Sequence, residues 1–484
     1  MKCFKAIMLL TMCMSSLIAE NIKNFVEMGG LASNSSWAAK TSNRNLLAGA
    51  LNGLEEGDTL LIPNLTFHTL GGIVVSEELK NVKIVLGGTL MFDHQKHWWP
   101  RSEDGSVLEA IEFASLENCI LTSIGNDSNN RGTLEGGGRF WWDLQNINDD
   151  RPRLLSIRKS KNVLIERWRF VDSPFWSVWA QNSNGMVVRY CDAITSVAQY
   201  HPDEHGFFFR VFHWFWIWIL TRFRFTTFLT KLYGYSAVNT DGFDFSGSSV
   251  HGHDLYMSTG DDAIAVKGSS ADMLFERLVT ESGLGLAIGS LSSGTIQNIT
   301  FRDALVRNSM KGIYIKTNRV GEGGGGGATI KDIMYENITI EEPLQFAIWI
   351  GPSQQLGGSC SLKFPQIKDA PCEMSPAHTL TNISLRSIRI VDPYFSPGII
   401  MGNESNPMTH LTFEGVTVVS NRRRGVDPSV RPWGLNYLCI GVSQSYSSSS
   451  YPSPDCFYSE EDFTTSVVTV LGAAALSLAA ATLI

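Results

Sequence analysis

Ile296-Gln297-Asn298-Ile299-Thr300-Phe301 is the clearest copy of a short apolar run that recurs along this chain of 484 residues. Related runs lie at 162–165, 186–188, 273–275, 330–334, 381–385 and 411–413. Val163 and Val187 are 24 positions apart, and Met273 and Ile296 are 23 apart. Short β-branched runs at such a period, cut by Gly, Asn and Ser, predict stacked strands of a solenoid. We therefore expect an all-β, single-domain right-handed parallel β-helix, because helical periodicity is scarce and the leucine framework of a leucine-rich horseshoe is missing.

Two acidic clusters lie in the middle of the chain, in Asn239-Thr240-Asp241-Gly242-Phe243-Asp244 and in Gly260-Asp261-Asp262. Asp241 and Asp261 are 20 positions apart, about one coil, and neighbouring coils stack about 4.8 Å apart. Ser282–Gly289 and Ile313–Lys316 follow at similar intervals. The four motifs are predicted to form one column along a groove that suits a linear polymer.

The adjacent carboxylates Asp261 and Asp262 repel each other, which tends to raise one of the two pKa values. Such a pair can keep a protonated acid beside an ionised base. A solvated turn or a calcium site is the alternative interpretation of an isolated Asp-Asp pair.

Composition excludes some classes of function. Hydrophobic residues make up 43% of the chain, which is enough for a large core, and the net charge is −8. No basic stripe dominates, so a nucleic-acid partner is not expected. We expect a monomer without a cofactor or a metal ion.

Several features predict export. Residues 1–19 resemble a signal peptide, with Lys2 and Lys5 before an apolar stretch. Six cysteines remain after it, and Cys360–Cys372 is the first expected disulfide, with Cys439–Cys456 next. Seven Asn-x-Ser/Thr triplets add weak support: Asn34, Asn64, Asn126, Asn298, Asn337, Asn382 and Asn403.

Three segments interrupt the repeat. Residues 207–229 are aromatic and apolar and are predicted to be an insertion in the 20–455 domain, either an untrimmed gene-model segment or a membrane-dipping loop. The glycine-rich stretch 321–327 lacks the ending of a phosphate-binding loop. Residues 456–484 form a polar spacer and an apolar tail, which resembles a glycolipid-anchor signal, with a transmembrane helix as the alternative.

With these motifs in order, residues 132–419 resemble glycoside hydrolase family 28, the polygalacturonases and related pectin hydrolases. The family pattern runs Asn-Thr-Asp, Gly-Asp-Asp, Gly-His-Gly and Arg-Ile-Lys on a right-handed parallel β-helix. Asn239-Thr240-Asp241 and Gly260-Asp261-Asp262 match it, and Gly132–Gly138 with Trp141-Trp142 resembles an early glycine-rich, Trp-containing stretch of the family.

The resemblance implies hydrolysis of α-1,4-galacturonide links with inversion, in a secreted or cell-surface protein. An inverting enzyme uses one carboxylic acid and one carboxylate, commonly about 6.5–9.5 Å apart. By similarity Asp261 is the acid, and Asp241 and Asp262 hold the water. Residues predicted to bind the substrate, a pectic polyuronide, are Asn239, Lys267, Tyr314 and Lys316.

Two positions depart from the family pattern. Leu284 stands where the family has His, and Tyr314 stands where it has Arg. Losing an anchoring charge costs about 2–5 kcal/mol of binding. His251 or His253 could supply an imidazole and Arg319 a guanidinium, although such histidines are more often surface or packing residues.

Two other functions fit the same sequence. Leu284 and Tyr314 raise the alternative of a catalytically impaired β-helix that binds cell-wall polysaccharide. A lyase on a similar solenoid is the third hypothesis, and it would differ by a calcium requirement and an unsaturated product.

Overall fold

The computed structural model describes residues 21–125, 131–142, 150–196, 237–319, 326–354, 360, 372–420 and 434–459. The predicted signal peptide, the predicted insertion, the triplet at Asn126 and the apolar end of the C-terminal tail lie outside these ranges. Within them, no helix combines the length and the apolarity that crossing a bilayer requires.

The fold is a right-handed parallel β-helix, as predicted, in which every paired strand of the ladder runs parallel to its neighbour on the next coil. Each coil contributes to three sheets, called here A, B and C. Sheet A is formed by β4 (Ile73–Lys80), β7 (Ile111–Glu117), β10 (Leu155–Arg158), β13 (Val178–Asn184), β18 (Leu286–Leu291), β20 (Ile313–Thr317), β22 (Ile348–Pro352), β24 (Gly398–Met401) and β27 (Leu438–Ile440).

Sheets B and C complete each coil. Sheet B contains β1 (Asn21–Asn24), β2 (Asp58–Ile62), β5 (Lys83–Leu86), β8 (Ile120–Thr122), β11 (Leu164–Glu166), β14 (Val187–Arg189), β25 (Met408–Glu414), β28 (Val442–Ser443), β29 (Tyr446–Ser448) and β30 (Tyr458–Ser459). Sheet C contains β3 (Thr66–Thr69), β6 (Thr89–Phe92), β9 (Gly132–Glu135), β12 (Trp168–Val171), β15 (Asp192–Ile194) and β26 (Thr417–Val419).

Five long strands continue from one sheet into the next. They are β16 (Phe243–Thr259) and β17 (Ile264–Ser282), which cross all three sheets, and β19 (Gly294–Arg307), β21 (Ala328–Glu341) and β23 (Thr379–Val391), which cross sheets B and C. In β21, Asp332 at φ 56° and Asn337 at φ 53° adopt the left-handed conformation at the corners. Asp and Asn tolerate this conformation, so one residue can turn the strand.

Alternation of inward and outward side chains fills the interior. The inward rings of Phe275, Phe301 and Tyr335 stack on successive coils, with centroids 4.9 Å apart at both steps. Phe245 extends the stack at 5.4 Å from Phe275. Because each ring buries a large apolar area against the next coil, the ladder stabilises the stacking of the coils.

The structure adds three details to the predicted architecture. Met273 pairs with Ile299 rather than with Ile296, because this coil is longer than the predicted 23 positions. Helix α1 (Trp37–Asn52), which was not predicted, packs on β3 and β4 through a buried face. Two short 3-10 helices occur at Lys96–Trp98 and Gly138–Phe140.

Both expected disulfides, Cys360–Cys372 and Cys439–Cys456, are present. Cys119 and Cys191 are buried thiols. Strand β30 pairs with β29, so parallel pairing continues to Ser459, and the predicted boundary at residue 455 stays a prediction.

Candidate active site

The turns that lead from sheet C into sheet A carry the acidic motifs. Phe243 pairs with Ile264 on the next coil, and Gly242 N donates to Asp262 O at 2.9 Å. Asp241 and Asp262 each stand two residues before these paired strand positions. The turn residues therefore repeat the strand spacing, which brings Asp241 beside Asp262, as the coil period predicts.

The three predicted catalytic carboxylates converge. Asp241, Asp261 and Asp262 each offer one oxygen, and these oxygens all lie within 4.8 Å of one another. Asp241 and Asp262 are buried at 2% and 1% exposure, whereas Asp261 is partly exposed. The trio is thus neither dispersed nor completely buried.

Two lysines hold the two buried carboxylates. Lys267 Nζ lies 3.1 Å from Asp241 Oδ2 and 2.8 Å from Asp244 Oδ1. Lys316 Nζ lies 2.6 Å from Asp262 Oδ2. A buried carboxylate without an opposite charge is strongly unfavourable, so these pairs make the ionised forms of the aspartates tenable.

In each of the two lysine-paired carboxylates, one oxygen lacks a hydrogen-bond partner among the described residues. Asp241 Oδ1 and Asp262 Oδ1 are buried and have no hydrogen-bond partner among the described residues. A buried polar atom without a partner is uncommon and calls for a water, an ion or a ligand. A water that donates one hydrogen bond to each of these two oxygens would be fixed between the coils.

Asp261 differs from its two neighbours. Its carboxylate accepts hydrogen bonds from Asn239 N at 3.1 Å and from Asp262 N at 2.9 Å. Burial, followed by the charges of Asp241 and Asp262, raises the pKa of Asp261 to about 7. Because a carboxyl with such a pKa stays protonated in mild acid, Asp261 can act as a general acid.

The pKa values of the ion pairs follow from burial and charge. Burial raises the pKa of Asp241, and the charge of Lys267 opposes that rise. Burial alone would lower the pKa of Lys267, but the charges of Asp241 and Asp244 outweigh it and raise the pKa. The pKa of Lys316 is raised in the same way, chiefly by Asp262. Both lysines are therefore cationic at neutral pH.

Asn239 lies beside the trio, and its side-chain oxygen accepts a hydrogen bond from Arg151 Nη2 at 3.2 Å. Its backbone N–H is the one that donates to Asp261. Of the predicted substrate-binding residues, Asn239, Lys267 and Lys316 thus surround the carboxylates directly.

Tyr314 is placed differently from the other predicted site residues. It is 2% exposed, and its hydroxyl accepts a hydrogen bond from Gln354 N at 2.9 Å. Tyr314 packs with Trp349 in an apolar cluster on the outer side of sheet A, and Leu284 lies against the same cluster. The hydroxyl is therefore already engaged, and a role for Tyr314 in substrate binding stays a prediction.

The two histidines proposed as replacements contact carboxylates of other segments rather than the trio. His251 lies in sheet B, pairs with Val187 and contacts Glu276. His253 lies on the same sheet and contacts Asp254. Arg319 forms a backbone bridge with Met374 after β20.

Two charged residues at the site were not singled out from the sequence. Asp244 is fully buried and shares Lys267 with Asp241. Lys311 is also fully buried, and its Nζ donates to Gln345 Oε1 at 3.1 Å. Burial, followed by the charge of Lys316, lowers the pKa of Lys311 to about 7. Lys311 lies in the turn before β20, just as Asp262 lies in the turn before β17. This equivalent position is the sequence signal that could have indicated Lys311.

The residues that could hold a metal ion are the same three carboxylates, Asp241, Asp261 and Asp262. Calcium and magnesium sites are built from oxygen ligands, so the residue types fit. Lys267 and Lys316 already supply positive charge to two of the three, however, which disfavours a cation at the same place.

Known proteins match this chain over most of its length. The family model for glycosyl hydrolases family 28 matches residues 56–368. An exopolygalacturonase of Cochliobolus carbonum is 23% identical over 402 residues, which cover 79% of this chain and 79% of that protein.

Solved structures share the fold. Endo-xylogalacturonan hydrolase from Aspergillus tubingensis superposes with a TM-score of 0.60 at 19% identity, over 90% of this chain and 98% of that one. A hyperthermoactive exopolygalacturonase from Thermotoga maritima gives a TM-score of 0.59 at 15% identity, over 82% of this chain and 87% of that one. With the family model spanning more than half of its length, the chain belongs to glycosyl hydrolases family 28.

Proposed function

We propose that this protein hydrolyses α-1,4-galacturonide links of pectin, with Asp261 as the general acid and with Asp241 and Asp262 holding the water. The observation that carries the proposal is the pairing of Asp241 Oδ2 with Lys267 and of Asp262 Oδ2 with Lys316, which leaves both Oδ1 atoms open. Names of relatives, including the exopolygalacturonase of Cochliobolus carbonum, support the substrate class.

In the proposed reaction, the water attacks the anomeric carbon while the glycosidic C–O bond breaks. The leaving oxygen takes the proton of Asp261, and a proton of the water passes to Asp241 or Asp262. Asn239 holds Asp261 in place through its backbone N–H. Lys316 meets the carboxylate of the sugar, and Lys267 opposes the rise that burial causes in the pKa of Asp241. Tyr314 supports Lys316, whose Nζ lies 4.4 Å from the centre of its ring.

Inversion of the anomeric centre is part of the proposal and comes from the family resemblance alone. The nearest oxygens of the trio lie within 4.8 Å, which is shorter than the about 6.5–9.5 Å between carboxyl groups in many inverting enzymes. Proton NMR of the first product distinguishes the two outcomes. A product that forms first as the anomer of the substrate's own configuration would contradict inversion.

We further propose that the protein is exported. The two disulfides, Cys360–Cys372 and Cys439–Cys456, support an oxidising compartment. Attachment of the C-terminal tail to a membrane stays a prediction, as does the monomeric state. Cell fractionation with a C-terminal and an internal epitope tag would test both export and removal of the tail.

The central test is release of reducing ends from polygalacturonate by the wild-type protein and by Asp261→Asn. Loss of the general acid should lower kcat at least roughly 100-fold. Asp332→Asn is a matched control, because Asp332 is an exposed aspartate on another face of the solenoid and receives a hydrogen bond from Asn382. Equal activity of Asp261→Asn and Asp332→Asn would refute the assignment.

A second candidate function is binding of wall polysaccharide without turnover. The packing of Leu284 and Tyr314 into the apolar cluster of sheet A favours it, because neither side chain offers a charge to the groove. Binding of polygalacturonate that Asp261→Asn leaves unchanged, together with no product from any pectic substrate, would support this candidate.

A further inference from the structure

An aromatic cluster lies next to the catalytic carboxylates, on their N-terminal side along the solenoid. It consists of Phe175, Trp176 and Trp179. Trp176 is one coil before Asp241, since Ser177 N donates to Asp241 O at 2.8 Å. Trp179 pairs with Asp244 in sheet A. Both tryptophans are partly exposed, although large rings gain most from complete burial.

The rings are held in a fixed arrangement. Trp176 and Trp179 meet edge to face with centroids 5.4 Å apart, and Phe175 stacks on Trp176 at 5.0 Å. The Arg153 guanidinium lies 4.4 Å from the centres of both tryptophan rings. Lys267 Nζ lies 3.8 Å from the centre of Trp176. Trp176 is therefore enclosed by cations and a ring, whereas Trp179 has Arg153 as its single cation contact among the described residues.

Charges around the rings cancel. Arg153 Nη1 lies 2.5 Å from Glu109 Oε1, and Arg158 Nη2 lies 3.1 Å from Glu112 Oε2. Lys267 is occupied by Asp241 and Asp244. Trp179 has Asp244 on the next coil and Glu112 two coils away in the same outward column. The two cations nearest the tryptophan rings, Arg153 and Lys267, are already paired with carboxylates, so the surface offers an apolar face with little free positive charge beside it.

We propose that Trp179, fixed by Arg153 and Trp176, forms a sugar-stacking subsite beside the catalytic carboxylates and takes an uncharged pyranose. The apolar face of a sugar ring packs on the indole as an aliphatic side chain would. A methyl-esterified galacturonate and a neutral sugar share this chemistry. The inference rests on the proposed function, because it names the sugar that lies next to the one being cleaved.

Binding to Asp261→Asn protein tests the subsite without interference from hydrolysis. Probes are galacturonate hexamers in methyl-esterified and de-esterified form, and galacturonate oligomers that carry neutral xylose, measured by isothermal titration calorimetry. The variants are Trp179→Ala and Trp179→Phe on the full chain. Trp98→Ala is the matched control, because Trp98 is an exposed tryptophan outside sheet A and outside the acidic turns.

We expect Trp179→Ala to weaken binding of the esterified hexamer at least about tenfold, and Trp179→Phe to retain it within about threefold. The factor by which Trp179→Ala weakens binding should be at least as large for the esterified hexamer as for the acid form. If Trp179→Ala weakens binding of the xylose-bearing oligomer only, the subsite takes a neutral sugar rather than a methyl-esterified galacturonate. A loss on Trp179→Ala that is confined to the de-esterified hexamer would overturn the inference, and so would equal affinities of Trp179→Ala and Trp98→Ala.

Failure of the proposed function gives a different result. Trp179-dependent binding without turnover of any pectic substrate would refute hydrolysis and keep the subsite. Turnover that depends on Asp261, combined with binding that Trp179→Ala leaves unchanged, would support hydrolysis and refute the subsite. If Trp179→Ala does not fold, the comparison of esterified and acid hexamers on the parent protein and on Trp179→Phe still decides.

Discussion

Lys316 Nζ lies 2.6 Å from Asp262 Oδ2, although 54 positions of sequence separate the two residues. The pair places a positive charge next to a buried carboxylate and leaves Asp262 Oδ1 without a hydrogen-bond partner among the described residues. Lys267 does the same for Asp241, from 26 positions away. Each acid is thus held by a lysine that follows it in sequence, and the two open oxygens between the lysines define where a water would be activated.

Activity should fall as the pH rises through about 7. Asp261 must be protonated to act as the general acid, and its pKa is raised to about 7 by burial and by Asp241 and Asp262. The alkaline limb of kcat/KM reports the pKa of this acid in the free enzyme. A pH–rate series on polygalacturonate measures it, and undiminished kcat/KM at pH 9 would contradict the role of Asp261.

Asp261→Asn should become more stable relative to wild type as the pH rises. The pKa of Asp261 is raised from 3.8 to about 7, so between these values the folded wild type binds more protons than the unfolded chain. The wild-type protein therefore loses stability as the pH rises through this range, and Asp261→Asn does not. Since Asp261 is partly exposed, we expect the difference in unfolding free energy between Asp261→Asn and wild type to grow by on the order of 2 kcal/mol between pH 4 and pH 8.

Thermal or urea unfolding of both proteins at pH 4 and pH 8 measures this gap. Only its change with pH is decisive, because the amide also loses one acceptor for the N–H groups of Asn239 and Asp262. A stability difference that stays constant or shrinks toward pH 8 would argue against a protonated Asp261 in the folded protein.

Lys267→Met should destabilise the fold far more than Lys80→Met does. Removing Lys267 leaves Asp241 and Asp244 buried without their shared cation, which costs about 3–5 kcal/mol. Lys80 also contacts two carboxylates, Glu78 and Glu117, but its side chain is 50% exposed. Such exposed pairs contribute little to stability.

Urea unfolding at pH 7 compares the two lysine variants, with the slope of unfolding free energy against urea as a check on two-state behaviour. Similar midpoints for Lys267→Met and Lys80→Met would mean that the aspartates take up protons instead of remaining charged. In that case the two lysine variants should also unfold at similar urea concentrations when the pH is lowered.

Chelation should leave activity unchanged. Lys267 and Lys316 supply the positive charge that a cation would bring to Asp241 and Asp262. Treatment with EDTA, followed by assay of reducing ends and of absorbance from unsaturated products, measures the effect. Loss of activity that calcium restores, or an unsaturated product, would instead favour the lyase hypothesis.

Much of the fold was readable from the sequence because a solenoid repeats. Inward positions such as Ile299, Ile333 and Ile383 occupy equivalent places on successive coils, so the same pattern of alternation returns with each coil. The disulfides were also readable, because Cys360 and Cys372 bound a short segment. Helix α1 was missed, although Ala39, Asn43 and Leu47 mark its buried face at helical spacing.

The candidate site was only partly readable. The coil period was enough to bring Asp241, Asp261 and Asp262 together, but not to show which lysine holds which carboxylate. Trp176 and Arg153 lie more than 60 positions before Asp241, across the predicted insertion, so no spacing rule connects them to the site. Burial of Lys311 and Tyr314 likewise depends on packing against Gln345 and Trp349 of the next coil.

The sequence by itself determined the repeating coil, the family and the convergence of the three acidic side chains, because each follows from a period that local residues encode. Only the tertiary structure decided the charge balance of the groove. That balance depends on which lysine, arginine and aromatic side chains from non-adjacent segments meet the carboxylates, and these contacts are set by the stacking of coils rather than by the order of residues within one.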